Sequence, residues 1–294
     1  MSYNTPKDSN VTSENTNESL TKQTSSKSTA VDNDPIILES ATFSTVKKLH
    51  FGKGNAKLNT KIATFSLPAG VTCPFAHLCK TWVGENGKLA EKVLADDDAK
   101  KRFRCFAANA EAMYSNYRNA VNENLDLLRP ISNSAEAMAS LIQAYLPKEE
   151  KIRIHVGGDF FNEEYLLAWN IIANSNPQKT FYAYTKSIPF WVKHKNEIAK
   201  NFILTASYGG LYDNLIEEND LKRVKTYFHP DDAKADGVEI DHDDSLALDP
   251  NVKRFGLLLH GQQPKNSDAS KAISRLKNEN VEFGYKRSAK KQNS

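Results

Sequence analysis

The chain has 294 residues, and its content of 39% hydrophobic and 10% aromatic residues is enough for a sizeable core. Its 39 basic and 36 acidic side chains nearly balance at a net charge of +3, which gives no global case for nucleic-acid binding. No apolar run approaches the roughly 18 residues of a membrane helix, and residues 1–30 lack the apolar segment of a secretory signal. We therefore expect a cytoplasmic protein without membrane contact. Its three cysteines are then reduced thiols, ligands or core residues rather than disulfides.

Composition separates both ends of the chain from its middle. Residues 1–34 are mostly Ser, Thr, Asn, Lys and Asp and have almost nothing to bury, so we predict a disordered tail. Residues 286–294 are predicted to form a basic tail, either solvated or in weak contact with nucleic acid. Residues 35–285 are predicted to form a single α/β domain.

Six segments of this middle region have the composition of strands. The first, at 61–67, alternates polar and apolar residues and stops at Pro68. The other predicted strands are 151–156, 180–185, 202–207, 223–228 and 255–260. Helical patterns follow several of them, and repeated strand–helix units predict a parallel sheet. Because about six strands are too few for an eightfold barrel, we predict a parallel partial or open barrel.

Helix patterns are clear at three places in this region. Apolar residues over 106–121 recur at steps of three and four, which predicts one amphipathic helix. Asn133 and Glu136 have the spacing of a capping box and predict that the next helix starts near Ser134. Ser267 is predicted to cap the last helix.

Polar residues recur where the predicted strands end, which is where ligands gather in parallel α/β folds. The polar segments at the strand ends are Gly157-Gly158-Asp159, Thr185-Lys186-Ser187, Thr205 and Ser207 with Gly209-Gly210, and His260-Gly261-Gln262-Gln263-Pro264. A further polar segment, between the last two strands, is Asp241-His242-Asp243-Asp244. We therefore expect one polar rim at one end of the sheet.

Cys73, Cys79 and Cys105 form the first part of this rim, in the loop region after the first strand. Thiolates are suitable ligands for zinc and for iron–sulfur clusters. Three cysteines leave one coordination position, which His77 fills in a zinc site or a small molecule fills in a four-iron cluster. Reduced core thiols are the alternative, above all for Cys105.

The other rim residues suggest ligand binding and acid–base chemistry. Gly157 and Gly158 let a ligand approach the backbone, and Asp159 can hold an amino or hydroxyl group. A tight turn before a helix is the alternative for these three residues. Lys186 is a candidate general acid, an anion clamp or a surface lysine.

The acidic run at 241–244 has two interpretations. His242 and Asp243, across the rim from His260, can bind a divalent metal such as magnesium or perform acid–base chemistry. An acidic, solvated loop is the alternative.

The order of these motifs resembles that of radical S-adenosylmethionine enzymes. There a cysteine loop follows the first strand, and a Gly-Gly-acid turn after the second binds the methionine amino group. By that resemblance the three cysteines would hold a 4Fe-4S cluster, and Gly157, Gly158 and Asp159 would bind S-adenosylmethionine. The cysteines here are more widely spaced than is usual in those enzymes, and Asp159 stands where Glu is common.

A broader resemblance, over about residues 60–264, is to the gene product 88 domain family of phages and bacteria. The segments that carry it are LPAGVTCP (67–74), RCFAA (104–108), RIHVGGDFF (153–161), FYAYTKS (181–187), LTAS (204–207), DHDDS (241–245) and LLLHG (257–261). This resemblance implies a phage or mobile-element source, hence the host cytoplasm, and implies no particular activity.

Three functional hypotheses follow. The first is an iron–sulfur enzyme in which Lys186, His242 and Asp243 line the substrate pocket. The second is a nuclease or hydrolase acting on nucleic acid with a divalent metal at Asp159, His242, Asp243 and His260. The third is a binding module stabilised by zinc. The predicted catalytic residues are Lys186, His242, Asp243 and His260, whereas the substrate and the oligomeric state are not predicted.

Overall fold

Seven strands form one sheet in the computed structural model, which describes residues 47–54, 58 and 61–283. The strands are β1 (Phe51–Lys53), β2 (Ile62–Phe65), β3 (Thr81–Val83), β4 (Leu89–Glu91), β5 (Lys151–Ile154), β6 (Thr180–Thr185), β7 (Phe202–Ser207), β8 (Arg223–Tyr227) and β9 (Arg254–Leu258). Of these, β3 and β4 form a separate two-stranded sheet. The predicted tails at 1–34 and 286–294 lie outside the described residues.

The order of strands in the main sheet is β1-β2-β5-β6-β7-β8-β9. Strand β1 runs antiparallel to β2, and every other neighbouring pair is parallel. The prediction of an α/β fold with a parallel, partial or open arrangement of about six strands is confirmed, with β1 as an additional antiparallel edge strand. The parallel arrangement places the C-terminal ends of β2 and β5–β9 at one edge.

Ten α-helices accompany the strands within the described ranges. They are α1 (Asp96–Lys101), α2 (Phe106–Met113), α3 (Ser115–Leu128), α4 (Ala135–Ala144), α5 (Glu163–Ser175), α6 (Ile188–Lys193), α7 (Asn214–Glu218), α8 (Pro230–Ala235), α9 (Ser245–Leu248) and α10 (Asp268–Asn278). None of them is long and apolar enough to cross a membrane.

Alternation along the strands divides the core between the two faces of the sheet. Phe181 of β6 packs in the large cluster with Trp169 of α5 and Phe65 of β2, whose ring lies 5.5 Å from that of Trp169. The next residue, Tyr182, belongs to a smaller cluster with Phe255 on the opposite face. Successive side chains of a strand point to opposite faces, so the sheet is buried on both sides.

Two helix predictions need correction. The pattern over 106–121 predicted one helix, but α2 ends at Met113 and α3 starts at Ser115, because Tyr114 is extended with φ −120° and ψ 98°. Asn133 is not the cap of α4. The hydroxyl of Ser134 accepts a hydrogen bond from the Ala137 amide at 3.1 Å and donates one to Glu136. Ser267 caps α10 as predicted.

We expect Ser134→Ala to lower the free energy of unfolding by about 1 kcal/mol, because the α4 amide that Ser134 caps then loses its partner. Asn133→Ala is the matched control, since Asn133 is exposed and does not cap the helix. Urea unfolding of both variants measures the difference. Equal stability of the two variants would contradict this assignment of the cap.

Candidate functional site

A cavity of about 160 Å³ lies at the C-terminal ends of the central strands. Most of the residues predicted from the sequence line it, and they come from distant parts of the chain. The predicted residues in its lining are Cys73, Cys79, Cys105, Gly157, Gly158, Asp159, Lys186 and His260. His242 and Asp243 are not among the lining residues.

The loop after β2 carries Cys73 and Cys79 over this cavity. Its first part is joined to the end of β5, because the Leu67 amide donates to the Gly157 carbonyl at 2.9 Å. Its later part is joined to the turn after β7, because the Leu78 amide donates to the Gly209 carbonyl at 2.9 Å. Backbone hydrogen bonds at both ends therefore fix where the two thiols lie.

Cys105 reaches the same cavity from a different segment. It is the residue before α2, and its amide donates to the Thr81 hydroxyl of β3 at 3.3 Å. The neighbouring Arg104 amide donates to the side-chain oxygen of Gln263, beyond β9, at 2.7 Å. The antiparallel pair β3–β4 and the segment after β9 together position this third thiol.

The three thiols influence one another electrostatically. Burial raises the pKa of Cys73 well above its ordinary value, and the charges of Asp159, Cys105 and Cys79 raise it further. Burial, followed by the charge of Cys79, raises the pKa of Cys105 to about 12. Thiolates at this end of the cavity therefore repel one another, and a bound cation would relieve that repulsion.

The side chains do not form a ready-made site for a single ion. In the described part of the chain, no group of three or more His, Cys, Asp or Glu side chains is arranged to hold one metal ion. His77 does not line the cavity. Its Nε2 lies 2.9 Å from an Asp98 carboxylate oxygen, and its Nδ1 lies 3.1 Å from the Lys92 ammonium. The structure therefore does not bring the predicted fourth zinc ligand to the cysteines.

The two glycines after β5 are required for close packing. Gly158 has φ +87°, and a Cβ atom there would lie 2.6 Å from the Thr72 hydroxyl and 2.9 Å from the Leu67 carbonyl. A Cβ atom at Gly157 would lie 2.9 Å from the Cβ atom of Ala107 in α2. The glycines let the cysteine loop and α2 approach the strand end, and both also line the cavity.

Asp159 joins the ends of β5 and β6. It is 4% exposed, and its carboxylate accepts from the Phe160 amide at 2.8 Å, the Thr185 hydroxyl at 2.6 Å and the Lys186 amide at 2.7 Å. Burial raises its pKa, and these three hydrogen bonds oppose that shift. A carboxylate has about four acceptor positions, so about one is left for a ligand.

Lys186 follows directly after β6 and points its side chain towards β7. The residue is 8% exposed, and its Nζ donates to the Ser207 hydroxyl at 2.6 Å. Both residues line the cavity. The side chain is therefore not the surface lysine that was one alternative for it.

A buried ion pair lies beside the cavity and was not predicted. Arg153 of β5, a lining residue, donates to Asp244 at 2.6 Å, and the hydroxyls of Tyr182 and Tyr184 donate to the same carboxylate at 3.0 and 3.2 Å. Asp244 is 0% exposed. The only signal in the sequence was its place in the acidic run, from which His242 and Asp243 were chosen instead.

His242 and Asp243 are exposed and lie away from the cavity. His242 lines a shallow surface cleft with Pro230 and Val281, and Asp243 accepts a hydrogen bond from the Ser245 amide at 3.0 Å. The structure therefore does not assemble the carboxylate and imidazole set that the nuclease hypothesis needs.

Two histidines at the cavity differ in their surroundings. His155 is 3% exposed, and its Nε2 lies 3.0 Å from the Tyr165 hydroxyl. Burial, followed by the charge of Arg153, lowers its pKa to about 3, so this ring is neutral at ordinary pH. The ring of His260 packs against Phe106 with centroids 4.7 Å apart.

A larger cleft of about 890 Å³ adjoins the cavity. Phe103 and Thr226 line both, so the two spaces are neighbours. Charges of both signs line the cleft, among them Lys101 and Arg254 as well as Asp232. It offers room for a molecule larger than the cavity itself can take.

Fold and cavity together define an α/β protein with a thiol-lined cavity at the C-terminal edge of its parallel strands. Residues 40–276 match the family model described as Gene product 88, so the chain belongs to that family. The expected family membership is thereby confirmed. The Gene 88 protein of Mycobacterium phage L5 is 28% identical over 90 residues, which cover 28% of this chain and 38% of that protein. No solved structure matches the chain.

Glu111 of α2 holds the start of the cysteine loop. It is 2% exposed, and its carboxylate accepts from the Ala69 amide at 2.8 Å. Burial raises its pKa from 4.5 to about 7, against the opposing effects of that hydrogen bond and of Arg118. The cysteine loop thus depends on a carboxyl group that titrates near neutral pH.

We expect Gly158→Ala to lower the free energy of unfolding by about 3 kcal/mol, from the left-handed backbone and the clash with Thr72. Gly87→Ala is the matched control. Gly87 also has a positive φ, +73°, but its nearest neighbour to a Cβ atom is 3.8 Å away, at Arg118. The control should lose only about 1 kcal/mol. Urea unfolding measures both, and equal losses would show that close packing at Gly158 has no cost.

We expect Glu111→Gln to flatten the pH dependence of stability. Because the folded pKa of about 7 exceeds 4.5, the folded state binds this proton more tightly than the unfolded chain. The resulting stabilisation is complete below pH 4.5 and is lost as the pH rises to about 7, by roughly 2–3 kcal/mol. Gln keeps the acceptor without the charge.

Urea unfolding at pH 5 and pH 8 tests this expectation. The wild-type protein should lose more stability than Glu111→Gln over this interval, and the exposed control Glu85→Gln should behave as wild type. If Glu111→Gln and wild type show the same pH slope, Glu111 does not titrate in this way.

Proposed function

We propose that this protein is an iron–sulfur enzyme of the radical S-adenosylmethionine type. Cys73, Cys79 and Cys105 would hold a four-iron cluster, and the turn at 157–159 would bind the amino end of S-adenosylmethionine. The observation that supports this proposal is that thiols from two separate segments line one cavity together with that turn. The cavity lies at the strand ends, where α/β folds bind ligands.

The placement of the thiols favours a cluster over a structural zinc ion. A zinc ion needs its sulfurs about 2.3 Å away, and the described side chains are not gathered around such a point. A four-iron cluster is larger, so its thiolates stand further apart while still sharing one group. When bound, the cluster supplies single electrons and one iron with an open coordination position.

Other residues of the cavity would bind and orient the small molecule. Asp159 has about one acceptor position left, which is suited to an ammonium group beside the backbone of Gly158. Phe106 and Leu257 supply apolar lining that excludes water from the reacting groups. The substrate would reach this space from the adjoining cleft, past Phe103.

A phage or mobile-element source belongs to the same proposal. The relative from Mycobacterium phage L5 and the family supply its support. The protein would then act in the cytoplasm of the bacterial host.

Anaerobic reconstitution with iron and sulfide tests the cluster directly. We expect the wild-type protein to retain about four irons and four sulfides per chain. Its broad visible absorption should bleach on reduction with dithionite. Alanine variants of Cys73, Cys79 and Cys105 should each lose most of the iron, since the chain has no other cysteine to replace them.

His77→Ala is the matched control for the zinc alternative. It should keep its iron and sulfide, because His77 points to Asp98 and Lys92 rather than into the cavity. A wild-type protein that binds no iron after reconstitution would overturn the proposal. One tightly bound zinc that is lost in His77→Ala would replace it with the zinc-stabilised module.

A further inference from the structure

Lys186 places a buried ammonium group in the cavity, and this group forms no ion pair with a described carboxylate. Its residue is 8% exposed, and among the described residues the one hydrogen-bond partner of its Nζ is the Ser207 hydroxyl at 2.6 Å. An ammonium group has three donors, so two are left for other partners. Burial of a charge is costly unless it is paired, so this position favours an anion.

The other charged groups of the cavity have partners within the chain, and Asp159 keeps about one acceptor position for a ligand. Arg153 pairs with Asp244 at 2.6 Å, and the Asp159 carboxylate accepts three hydrogen bonds from the chain. Arg104 at the rim pairs with Glu91. Burial raises the pKa of Asp159 and the charge of Lys186 opposes this shift, but within the described part of the chain no carboxylate oxygen forms an ion pair with the Lys186 Nζ.

We propose that Lys186 and Ser207 form a carboxylate-binding subsite of this cavity. The subsite would take the carboxylate of an amino-acid group whose ammonium end lies at Asp159. Lys186 and Asp159 are already adjacent, since the Lys186 amide donates to Asp159 at 2.7 Å. A zwitterion placed across the strand ends would therefore meet an opposite charge at each end.

This inference rests on the proposed function, because S-adenosylmethionine is the amino-acid ligand proposed there. It adds the residues that would distinguish a ligand with a carboxylate from one without it. The Lys186 ammonium would donate to the ligand carboxylate. Ser207, at the end of β7, accepts a hydrogen bond from this ammonium and so orients it. Lys186 directly follows β6 and Ser207 ends the adjacent strand β7, so two paired strands position the two side chains.

Two probes that differ only in the carboxylate test this subsite. S-adenosylmethionine and decarboxylated S-adenosylmethionine are titrated into the anaerobically reconstituted wild-type protein by equilibrium dialysis. We expect the wild-type protein to bind the carboxylate form about tenfold to a hundredfold more tightly, the range for a hydrogen bond to a charged group. This comparison needs no mutation.

Lys186→Met then assigns the preference to the side chain. The variant keeps the backbone amide that binds Asp159, so it should keep its iron and its fold. It should bind both probes with similar affinity, whereas Lys186→Arg should restore part of the preference. Lys193→Met is the matched control, because this nearby lysine is 63% exposed and pairs with Glu163. The control should retain the full wild-type preference.

The outcomes separate this inference from the proposed function. If the wild-type protein binds both probes equally, or if Lys186→Met keeps the full preference, the subsite is wrong while the cluster and the ligand stand. If the wild-type protein holds a cluster but binds neither probe, the subsite and the proposed ligand are both wrong. If the protein does not bind a cluster, the iron and sulfide analysis detects this separately.

Discussion

The end of β5 is the point on which the cavity depends. The Gly157 carbonyl accepts the Leu67 amide and so fixes the start of the cysteine loop. Two residues later, Asp159 accepts donors from Thr185 and Lys186 and so fixes the end of β6. Because one short turn makes both connections, it positions the cysteine loop and Lys186 relative to each other. A shift of this turn would separate the metal-binding and ligand-binding halves of the proposed site.

The position of this cavity could be predicted from the sequence because the strands that form it have recognisable local patterns. Strands β6 and β7 have the predicted bounds, 180–185 and 202–207, since apolar runs of that length bounded by polar turns are typical of parallel strands. Once parallel strands are predicted, their C-terminal ends must share one edge. Residues as far apart as Cys73 and His260 were therefore predicted to share a rim, and both line the cavity.

The buried ion pair and the helix break could not be predicted from the sequence, because both depend on contacts between distant residues. In the run at 241–244, Asp244 has φ +67° and turns into the core, whereas the two residues before it are exposed. Its partner Arg153 lies 91 positions earlier, in a strand whose alternation gave no sign of an ion pair. Similarly, the break at Tyr114 lies within an unbroken apolar pattern. Such choices are made by tertiary packing and not by local preference.

The charges of the cavity would couple the binding of the proposed cluster to the binding of the proposed ligand. Burial raises the pKa of Cys73 and of Cys105, so the proposed cluster would bind only as protons leave these two thiols. The negative charge of Asp159 opposes that loss, because it lies close enough to raise the pKa of Cys73. A ligand ammonium at Asp159 would offset this charge and favour the thiolates, and a bound cluster would favour the ammonium in turn. In the proposed site, cluster and ligand would therefore be coupled through Asp159, and this coupling would be the same whichever of them bound first.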